Sequence, residues 1–253
     1  MDLKVTLVQP DLAWENKSAN LFNIAGLIKN AGQTDVIVLP EMFTTGFSMK
    51  VQELAEPMEG PTIHWMKEKA AEKQAVVAGS LIIEENGCYY NRLVWVQPDG
   101  KLYWYDKRHL FAMGEEHLHF TPGNQRVTVE WKGWKIRLQI CYDLRFPVWS
   151  RNNDDYDLLI YTVNWPAARS HVWKTLLTAR ALENQCYCLG VNRVGRDGLN
   201  IRYFGDSGRI DARGEAVWMG HMETTRTFTL SLRTLHAFRE KFPVLNDRDG
   251  FTF

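Results

Sequence analysis

The sequence predicts an α/β fold in which helices cover two β-sheets. Short β-branched segments alternate with longer segments of helical period, a pattern typical of a layered α/β domain. Two apparent hairpins add antiparallel strands to the strand–helix units, so we expect two sheets. The chain has 253 residues, 45% of them hydrophobic, which suffices for one substantial core. We therefore predict a single domain over residues 1–253.

The first half of the chain predicts two strand–helix units followed by a hairpin. Ser18 is a suitable N-cap for an amphipathic helix, and Pro61 suits the first turn of a second helix. Asp99 and Gly100 follow a proline and have the chemistry of a tight turn between two strands. The predicted elements are strands over 3–8, 35–39 and 75–83, helices over 18–30 and 61–73, and hairpin strands within 89–105.

The second half predicts another hairpin, further buried strands and a closing helix. Lys132 and Gly133 separate two strands, and the second strand leads directly into Cys141. Residues 157–163 (DLLIYTV) are mostly apolar, as expected of a core strand. The predicted elements are strands over 125–131, 134–140, 157–163 and 186–192, a helix starting near Pro147, helices over 170–185 and 231–241, and alternating strands and turns over 205–230.

Composition and charge exclude several classes of function. The 30 basic and 30 acidic side chains cancel, so no net field attracts nucleic acid or an anionic membrane surface. No apolar segment approaches the roughly 20 residues that span a bilayer. The first residues carry charges within their apolar run and show no cleavage site, so we expect a cytoplasmic protein. The four cysteines are too few and too irregularly spaced for a disulfide framework, and we expect reduced thiols.

Cys141 is the first candidate for chemistry, because it ends a buried strand and precedes a turn. A nucleophile on such a turn projects outward, while the next backbone N–H can face the carbonyl oxygen under attack. Strand ends are also where α/β proteins place their sites. A free cysteine is equally common as a small buried apolar residue, so the spacing alone leaves both interpretations open.

Glu41 and Lys107 follow two other predicted strands. A thiol that attacks an amide needs a group that removes its proton and later protonates the departing amine, and Glu41 is placed for this. The tetrahedral intermediate needs positive charge near its oxygen, which Lys107 would supply. Taken alone, each is more often an exposed loop residue.

Together, the segments around these residues resemble the nitrilase superfamily of carbon–nitrogen hydrolases, whose catalytic Glu, Lys and Cys occur in this chain order. The matching segments are LPEMF, YDKRHLF and ICYDLRFP, supported by RALENQ and GDS, and the resemblance covers nearly the whole chain. It implies a four-layer α-β-β-α sandwich, usually dimeric through a helical face. It also implies Glu41 as general base and acid, Lys107 as the cation that stabilises the oxyanion, and Cys141 as the nucleophile that forms a thioester.

The resemblance implies two supporting groups as well. Glu116 corresponds to a second active-site glutamate ahead of a Pro-Gly turn and would orient Lys107 or the attacking water. The adjacent Glu115 is an alternative, and both are otherwise surface carboxylates. The backbone N–H of Tyr142 would share the stabilisation of the oxyanion.

Within the superfamily, EMFTTGF, EEHLHF and CYDLRFPVWSRN most resemble the bacterial omega-amidase branch, which hydrolyses the terminal amide of 2-oxoglutaramate or 2-oxosuccinamate. Such substrates imply a cationic anchor for the oxo-carboxylate, for which Arg169, His171 and Arg145 are candidates. We expect Arg145 instead to be a structural partner of Asp143 or of a subunit interface. Trp165 is a candidate pocket residue, and it departs from the animal branch, where small residues are expected.

Other functions remain open. A nitrilase or another hydrolase of small aliphatic amides would use the same thioester, and a catalytically silent relative would be an interaction module. No histidine lies in a context that links it to Cys141 as in papain-like enzymes. The histidines and remaining cysteines lack C-x-x-C zinc spacing, and no glycine-rich nucleotide motif occurs. We therefore expect a homodimer that binds a small amide and needs neither metal nor cofactor.

Overall fold

The computed structural model describes residues 2–153 and 155–252, and two six-stranded sheets form its centre. The strands are β1 (Asp2–Gln9), β2 (Val36–Val38), β3 (Val76–Glu85), β4 (Cys88–Val96), β5 (Leu102–Asp106), β6 (Thr128–Trp131), β7 (Trp134–Ile140), β8 (Leu158–Thr162), β9 (Tyr187–Val191), β10 (Val194–Arg196), β11 (Arg202–Phe204), β12 (Gly208–Ile210), β13 (Ala216–Trp218) and β14 (Thr224–Ser231). The helices are α1 (Lys17–Lys29), α2 (Val51–Leu54), α3 (Pro61–Lys73), α4 (Glu116–His119), α5 (Pro147–Ser150), α6 (Ser170–Glu183) and α7 (Leu232–Lys241). Within the described ranges, no helix has the length and apolar character needed to cross a bilayer.

The two sheets have the same plan. The first has the order β14-β1-β2-β3-β4-β5, and the second has the order β13-β12-β9-β8-β7-β6. In each sheet three strands run parallel, β1 to β3 in the first and β7 to β9 in the second, and the flanking strands pair antiparallel. A separate hairpin, β10 with β11, pairs outside both sheets. The predicted α/β class with two sheets is confirmed.

One hydrophobic core fills the space between the sheets. Val5 and Val36 of the first sheet belong to the same buried cluster as Leu138, Ile160 and Leu189 of the second. The last three are neighbours in register across β7, β8 and β9, so they share one face. Burying this apolar area is the main favourable contribution to docking of the sheets.

Helices cover the two outer faces. Helices α1 and α3 pack on the first sheet, where Ile24 and Met66 are buried with Val77, and α6 packs on β9 of the second. Gly190 allows this second contact, because a Cβ there would lie 2.4 Å from the ring of Trp173. The resulting order of layers is α-β-β-α, as the resemblance implied.

The start of α1 differs from the sequence prediction. Asn16 is the N-cap, and its side-chain oxygen accepts a hydrogen bond from the backbone N–H of Ala19 at 3.1 Å. The prediction that Ser18 caps this helix was wrong, because Ser18 lies in the first turn and its hydroxyl donates to Asn16 at 3.1 Å. The predicted bounds of α3, with Pro61 at its first position, match the structure.

Candidate active site

Four polar side chains from different elements meet where the two sheets face each other. Glu41 follows β2, Lys107 follows β5 and Cys141 follows β7, whereas Glu116 opens α4. Glu41 and Glu116 are fully buried, Lys107 is 1% exposed and Cys141 is 9% exposed. The structure thus brings together the four side chains that the sequence singled out.

Lys107 lies between two carboxylates. Its Nζ is 2.8 Å from Oε1 of Glu41, and 2.9 and 2.8 Å from the two carboxylate oxygens of Glu116. Burial lowers the pKa of Lys107, but the adjacent Glu116 and Glu41 carboxylates outweigh burial and raise this pKa above its ordinary value. Lys107 is therefore a permanent cation at neutral pH.

Glu116, and not its neighbour Glu115, reaches this site. Glu115 is exposed and has a φ of 59°, which turns the chain so that the next side chain points inward. The carboxylate of Glu116 also accepts hydrogen bonds from the backbone N–H of Phe111 at 2.6 Å and from Asn91 Nδ2 at 3.0 Å. Burial raises the pKa of Glu116, while the charge of Lys107 opposes that shift.

Two asparagines that sequence reasoning missed orient Glu41. Asn91 Nδ2 donates to Oε1 of Glu41 at 2.8 Å, and the backbone N–H of Asn164 donates to Oε2 at 2.8 Å. Asn164 Nδ2 also donates to the backbone oxygen of Glu41 at 2.6 Å. A polar residue inside the apolar strand β4, and another just after β8, were the signals that could have revealed them.

Cys141 occupies a strained turn at the end of β7. Its φ of 43° is unusual for a residue with a side chain, and it begins a 3₁₀ turn over Cys141–Arg145. Burial raises the pKa of the Cys141 thiol, the hydrogen-bonded Glu41 adds to the effect, and Lys107 opposes it. The resting thiol is therefore protonated and has a carboxylate beside it to receive its proton.

The buried carboxylate of Asp143 stabilises this turn. Oδ2 accepts from the backbone N–H of Ile140 at 3.1 Å and from the Tyr105 hydroxyl at 2.7 Å. Oδ1 accepts from the backbone N–H of His109 at 3.0 Å and lies 2.8 Å from Nδ1 of the same residue. The residues before and after Cys141 are thereby tied to the segment that carries Lys107.

Arg145 is not a partner of Asp143, so that half of the prediction was wrong, while a role at a subunit interface stays a prediction. The oxygens of Asp143 already accept the four hydrogen bonds described above, whereas the guanidinium of Arg145 lies 5.2 Å above the ring of Trp165. Arg145 is exposed and forms part of a cavity wall beside Cys141. The position of Arg145 makes it available to a bound molecule.

The cavity beside Cys141 has a volume of about 500 Å³ and a largely apolar wall that includes six aromatic residues. Trp165, Arg169 and Tyr142 line it together with Arg145, and the guanidinium of Arg169 lies 5.5 Å from the ring centre of Phe111. In the described part of the chain, neither guanidinium has a carboxylate partner. The remaining aromatic members of the wall are Trp14, Phe47, Phe111 and Tyr203.

His171 lies outside the cavity wall. It is exposed in the first turn of α6, whereas Trp173, two residues later, is fully buried. Residues two apart on a helix point to different sides, so the burial of Trp173 turns His171 to the surface. The structure does not bring His171 to the site with Trp165 and Arg169.

Comparison with known proteins agrees with this geometry. The model of the carbon–nitrogen hydrolase family matches residues 4–240. The chain is 47% identical to omega-amidase YafV of Escherichia coli strain K12 and 33% identical to a 2-oxoglutaramate amidase of Bacillus subtilis, and each alignment covers 98% of both chains. It is also similar to the crystal structure of XC1258 from Xanthomonas campestris, a CN-hydrolase superfamily protein with an arsenic adduct in its active site, with 44% identity, a TM-score of 0.98 and coverage of 100% and 99%. The chain belongs to the carbon–nitrogen hydrolase family.

Proposed function

We propose that the protein is an omega-amidase that hydrolyses the terminal amide of 2-oxo-dicarboxylate monoamides, such as 2-oxoglutaramate and 2-oxosuccinamate. One observation carries this proposal: a single cavity joins the Cys141 thiol to two guanidinium groups that have no carboxylate partner among the described residues. A substrate with an amide at one end and a carboxylate at the other matches both features. The names of the relatives in E. coli and B. subtilis support the same activity.

The first half of the reaction forms a thioester. Glu41 accepts the thiol proton while Cys141 Sγ attacks the amide carbon and forms a C–S bond. The oxygen of the tetrahedral intermediate is stabilised by Lys107 and by the backbone N–H of Tyr142. Collapse of the intermediate breaks the C–N bond, Glu41 gives its proton to the departing nitrogen, and ammonia leaves.

The second half releases the dicarboxylate. Glu41 accepts a proton from water while the water oxygen attacks the thioester carbon. Collapse breaks the C–S bond, and the proton on Glu41 returns to Cys141. Glu116 keeps Lys107 charged and in place through both halves, because it accepts two hydrogen bonds from that ammonium group.

Arg145 and Arg169 are proposed to bind the carboxylate of the substrate. A guanidinium matches a carboxylate with two parallel N–H donors. Here the Arg145 guanidinium lies over the ring of Trp165, and that of Arg169 lies over the ring of Phe111. The acidic groups of the wall do not compete for them. Glu15 pairs with Lys50 at 2.7 Å, and the carboxylate of Asp197 accepts the hydroxyl of Tyr203 at 2.8 Å together with two backbone N–H groups.

Ammonia release from 2-oxoglutaramate and 2-oxosuccinamate tests the proposal, with glutamine, an aliphatic amide and a nitrile as comparison substrates. We expect the oxo-amides to be preferred, and their turnover to be lost in the Cys141→Ala variant. Preference for the nitrile would make the protein a nitrilase. Absence of turnover together with failure of an electrophilic amide to label Cys141 would favour a silent interaction module.

We further propose that the chain functions as one domain and as a homodimer in the cytoplasm. The exposed apolar side chains of Val148, Leu182 and Phe242 support a dimer. Their segments are neighbours in the fold, because Arg151 donates to the backbone oxygen of Glu183 and Gln185 donates to that of Phe242. A mass of twice the chain by light scattering is the expected result. A monomer at micromolar concentration would rule out the dimer.

A further inference from the structure

Asn91 joins the two carboxylates of the active site through a single amide group. It is fully buried on β4, and its Nδ2 donates to Oε1 of Glu41 at 2.8 Å and to Oε1 of Glu116 at 3.0 Å. The other end of the amide, Oδ1, accepts the hydroxyl of Ser80 at 2.8 Å. All hydrogen-bonding groups of this side chain that face the site are therefore in use.

Ser80 on β3 also holds the turn that carries Glu41. Its backbone N–H donates to the oxygen of Pro40 at 3.4 Å, and its backbone oxygen accepts from Phe43 at 3.2 Å. Its hydroxyl oxygen accepts the backbone N–H of Met42 at 2.9 Å. The hydroxyl hydrogen then points to Asn91, so one serine fixes both the turn and the amide.

The orientation of the Asn91 amide is set from both ends. In the opposite orientation, Oδ1 would face Oε1 of Glu41 and Oε1 of Glu116, and three acceptors would meet without a hydrogen between them. Such buried, unsatisfied acceptors are costly. The amide hydrogens therefore point to the carboxylates.

This orientation decides where Glu41 can carry a proton. Oε1 of Glu41 accepts from Asn91 and from Lys107, and neither donor nitrogen can accept a hydrogen bond in return. A proton on Oε1 would face these two donors. Only Oε2 is left, because the described residues give it one donor, the backbone N–H of Asn164 at 2.8 Å.

Glu116 has no carboxylate oxygen left that could carry a proton. Its Oε1 accepts from Asn91 and Lys107, and its Oε2 accepts from Lys107 and from the backbone N–H of Phe111. Four donor contacts leave no acceptor for a carboxyl proton, so these contacts favour the carboxylate form. The two glutamates are neighbours, but of the two only Glu41 has an oxygen that can take up a proton.

We propose that Ser80 and Asn91 are positioning residues that confine the exchanged proton to Oε2 of Glu41 and keep Glu116 outside the proton cycle. The inference rests on the proposed function in assigning Glu41 as the proton carrier. Ser80 and Asn91 touch neither the substrate nor the thiol and act through Glu41. Their removal therefore alters proton transfer more than substrate binding.

The Asn91→Asp variant tests this role with almost no change in shape. The new carboxyl group can donate a hydrogen bond only when it is protonated. Its charged neighbours are Glu41, Glu116 and Lys107. The Cys141 thiol and the Tyr203 hydroxyl lie beyond Glu41, whose charge raises the pKa of both. We expect kcat at neutral pH to fall about 100-fold with little change in KM, and the loss to shrink as the pH falls below about 6. An equal loss at every pH would mean a purely structural role and would overturn the inference.

Alkylation of Cys141 gives a second measurement that needs no substrate turnover. The rate of reaction with chloroacetamide is followed by mass spectrometry across the pH range, with the exposed Cys88 as internal control. In Ser80→Ala we expect Cys141 to react about tenfold more slowly at neutral pH, with its rate profile moved to alkaline pH, while Cys88 is unchanged. Thr6→Val is the matched control, because it removes a buried hydroxyl bonded at 2.8 Å to Thr227, away from the site.

The two measurements separate the inference from the proposed function. If the wild-type protein fails to hydrolyse oxo-amides but the alkylation profile moves in Ser80→Ala, the substrate assignment fails and the positioning role stands. If oxo-amides are hydrolysed but the alkylation profile of Ser80→Ala matches wild type, the positioning role fails. Circular dichroism checks that each variant is folded, and if Asn91→Asp is unfolded, Ser80→Ala alone decides.

Discussion

At the residue scale, Arg145 and Arg169 separate substrate recognition from chemistry. Each guanidinium lies in the cavity wall and neither touches Glu41, Lys107 or Cys141 in the observed contacts. A hydrogen bond to a charged group contributes about 1.5–3 kcal/mol. Replacing Arg145 or Arg169 by Gln should therefore lower kcat/KM for 2-oxoglutaramate by roughly 10- to 150-fold.

The same variants should hydrolyse an uncharged aliphatic amide as the wild type does, because that substrate has no carboxylate to anchor. His171→Gln is the matched control, since His171 is exposed and outside the wall. Steady-state kinetics on both substrates provide the measurement. Equal losses on the charged and uncharged substrates would show that the arginines do not bind the carboxylate.

Cys141 also has a conformational cost at this scale. With a φ of 43°, a residue with a Cβ is strained by about 1–2 kcal/mol relative to glycine. We predict that Cys141→Gly is more stable than Cys141→Ala by about 1 kcal/mol, which reverses the usual order of glycine and alanine. Urea unfolding of the two inactive variants measures this difference, and a more stable alanine variant would show that the turn is relaxed.

At the scale of elements, the start of α1 depends on Asn16. Its side chain satisfies the backbone N–H of Ala19, which otherwise lacks an intrahelical partner. Asn16→Ala should lower the free energy of unfolding by about 1 kcal/mol, whereas Ser18→Ala should change it by less than about 0.5 kcal/mol. Urea denaturation of both variants makes the comparison. A larger loss for Ser18→Ala would restore the original assignment of the cap.

The elements also show what sequence can and cannot reveal. The sequence predicted α3, which begins with Pro61, and the strand that leads into Cys141. Both predictions used hydrophobic periodicity and turn residues, which depend only on residues close together in the chain. The hydrogen-bond partners of Glu41, in contrast, lie far from it in the sequence. Asn91 is 50 residues from Glu41 along the chain, and Asn164 is 123 residues from it, just after β8 of the other sheet.

The contact with Asn91 follows from the strand order of the first sheet, and the contact with Asn164 follows from the docking of the two sheets. The chain order of Glu41, Lys107 and Cys141 identified the family because the three lie in recognisable segments, and the family is confirmed. The same segments did not predict where side chains such as Arg145 point. The Asp143 carboxylate accepts hydrogen bonds from other donors, and Arg145 lies at the cavity instead. The direction of such a side chain depends on all of its neighbours in the folded protein.

At the scale of the whole molecule, buried thiols and phenols make stability sensitive to alkaline pH. Burial raises the pKa of Cys186, Cys188, Tyr156 and Tyr161 above their ordinary values. Above about pH 8.5 the thiols ionise in the unfolded chain but stay protonated in the folded one. The unfolded state is then favoured, so the free energy of unfolding should fall as the pH rises, with a further decline above about pH 10 from the tyrosines.

Urea midpoints at a series of pH values from neutral to about 10 measure this decline. A Cys186→Ala, Cys188→Ala double variant is the control, since it should be less stable at neutral pH but show a shallower decline. A stability that does not change between neutral pH and about pH 10 would contradict the prediction. Lys107 also lowers the free energy of unfolding as the pH rises, but only at higher pH. The ordinary pKa of a lysine is already alkaline, and that of Lys107 is raised further.

The pairing of β1 with β14 has a consequence for protein synthesis. Thr6 and Thr227 share a hydrogen bond although they are 221 residues apart, so one edge of β1 lacks its partner until β14 has also left the ribosome. An open strand edge is a template for pairing with other chains. Glu41 and Lys107 are translated long before this edge closes, and the nascent chain carries them beside an incomplete sheet. Emergence of β14 from the ribosome therefore closes this edge and removes one site at which the growing polypeptide is open to aggregation.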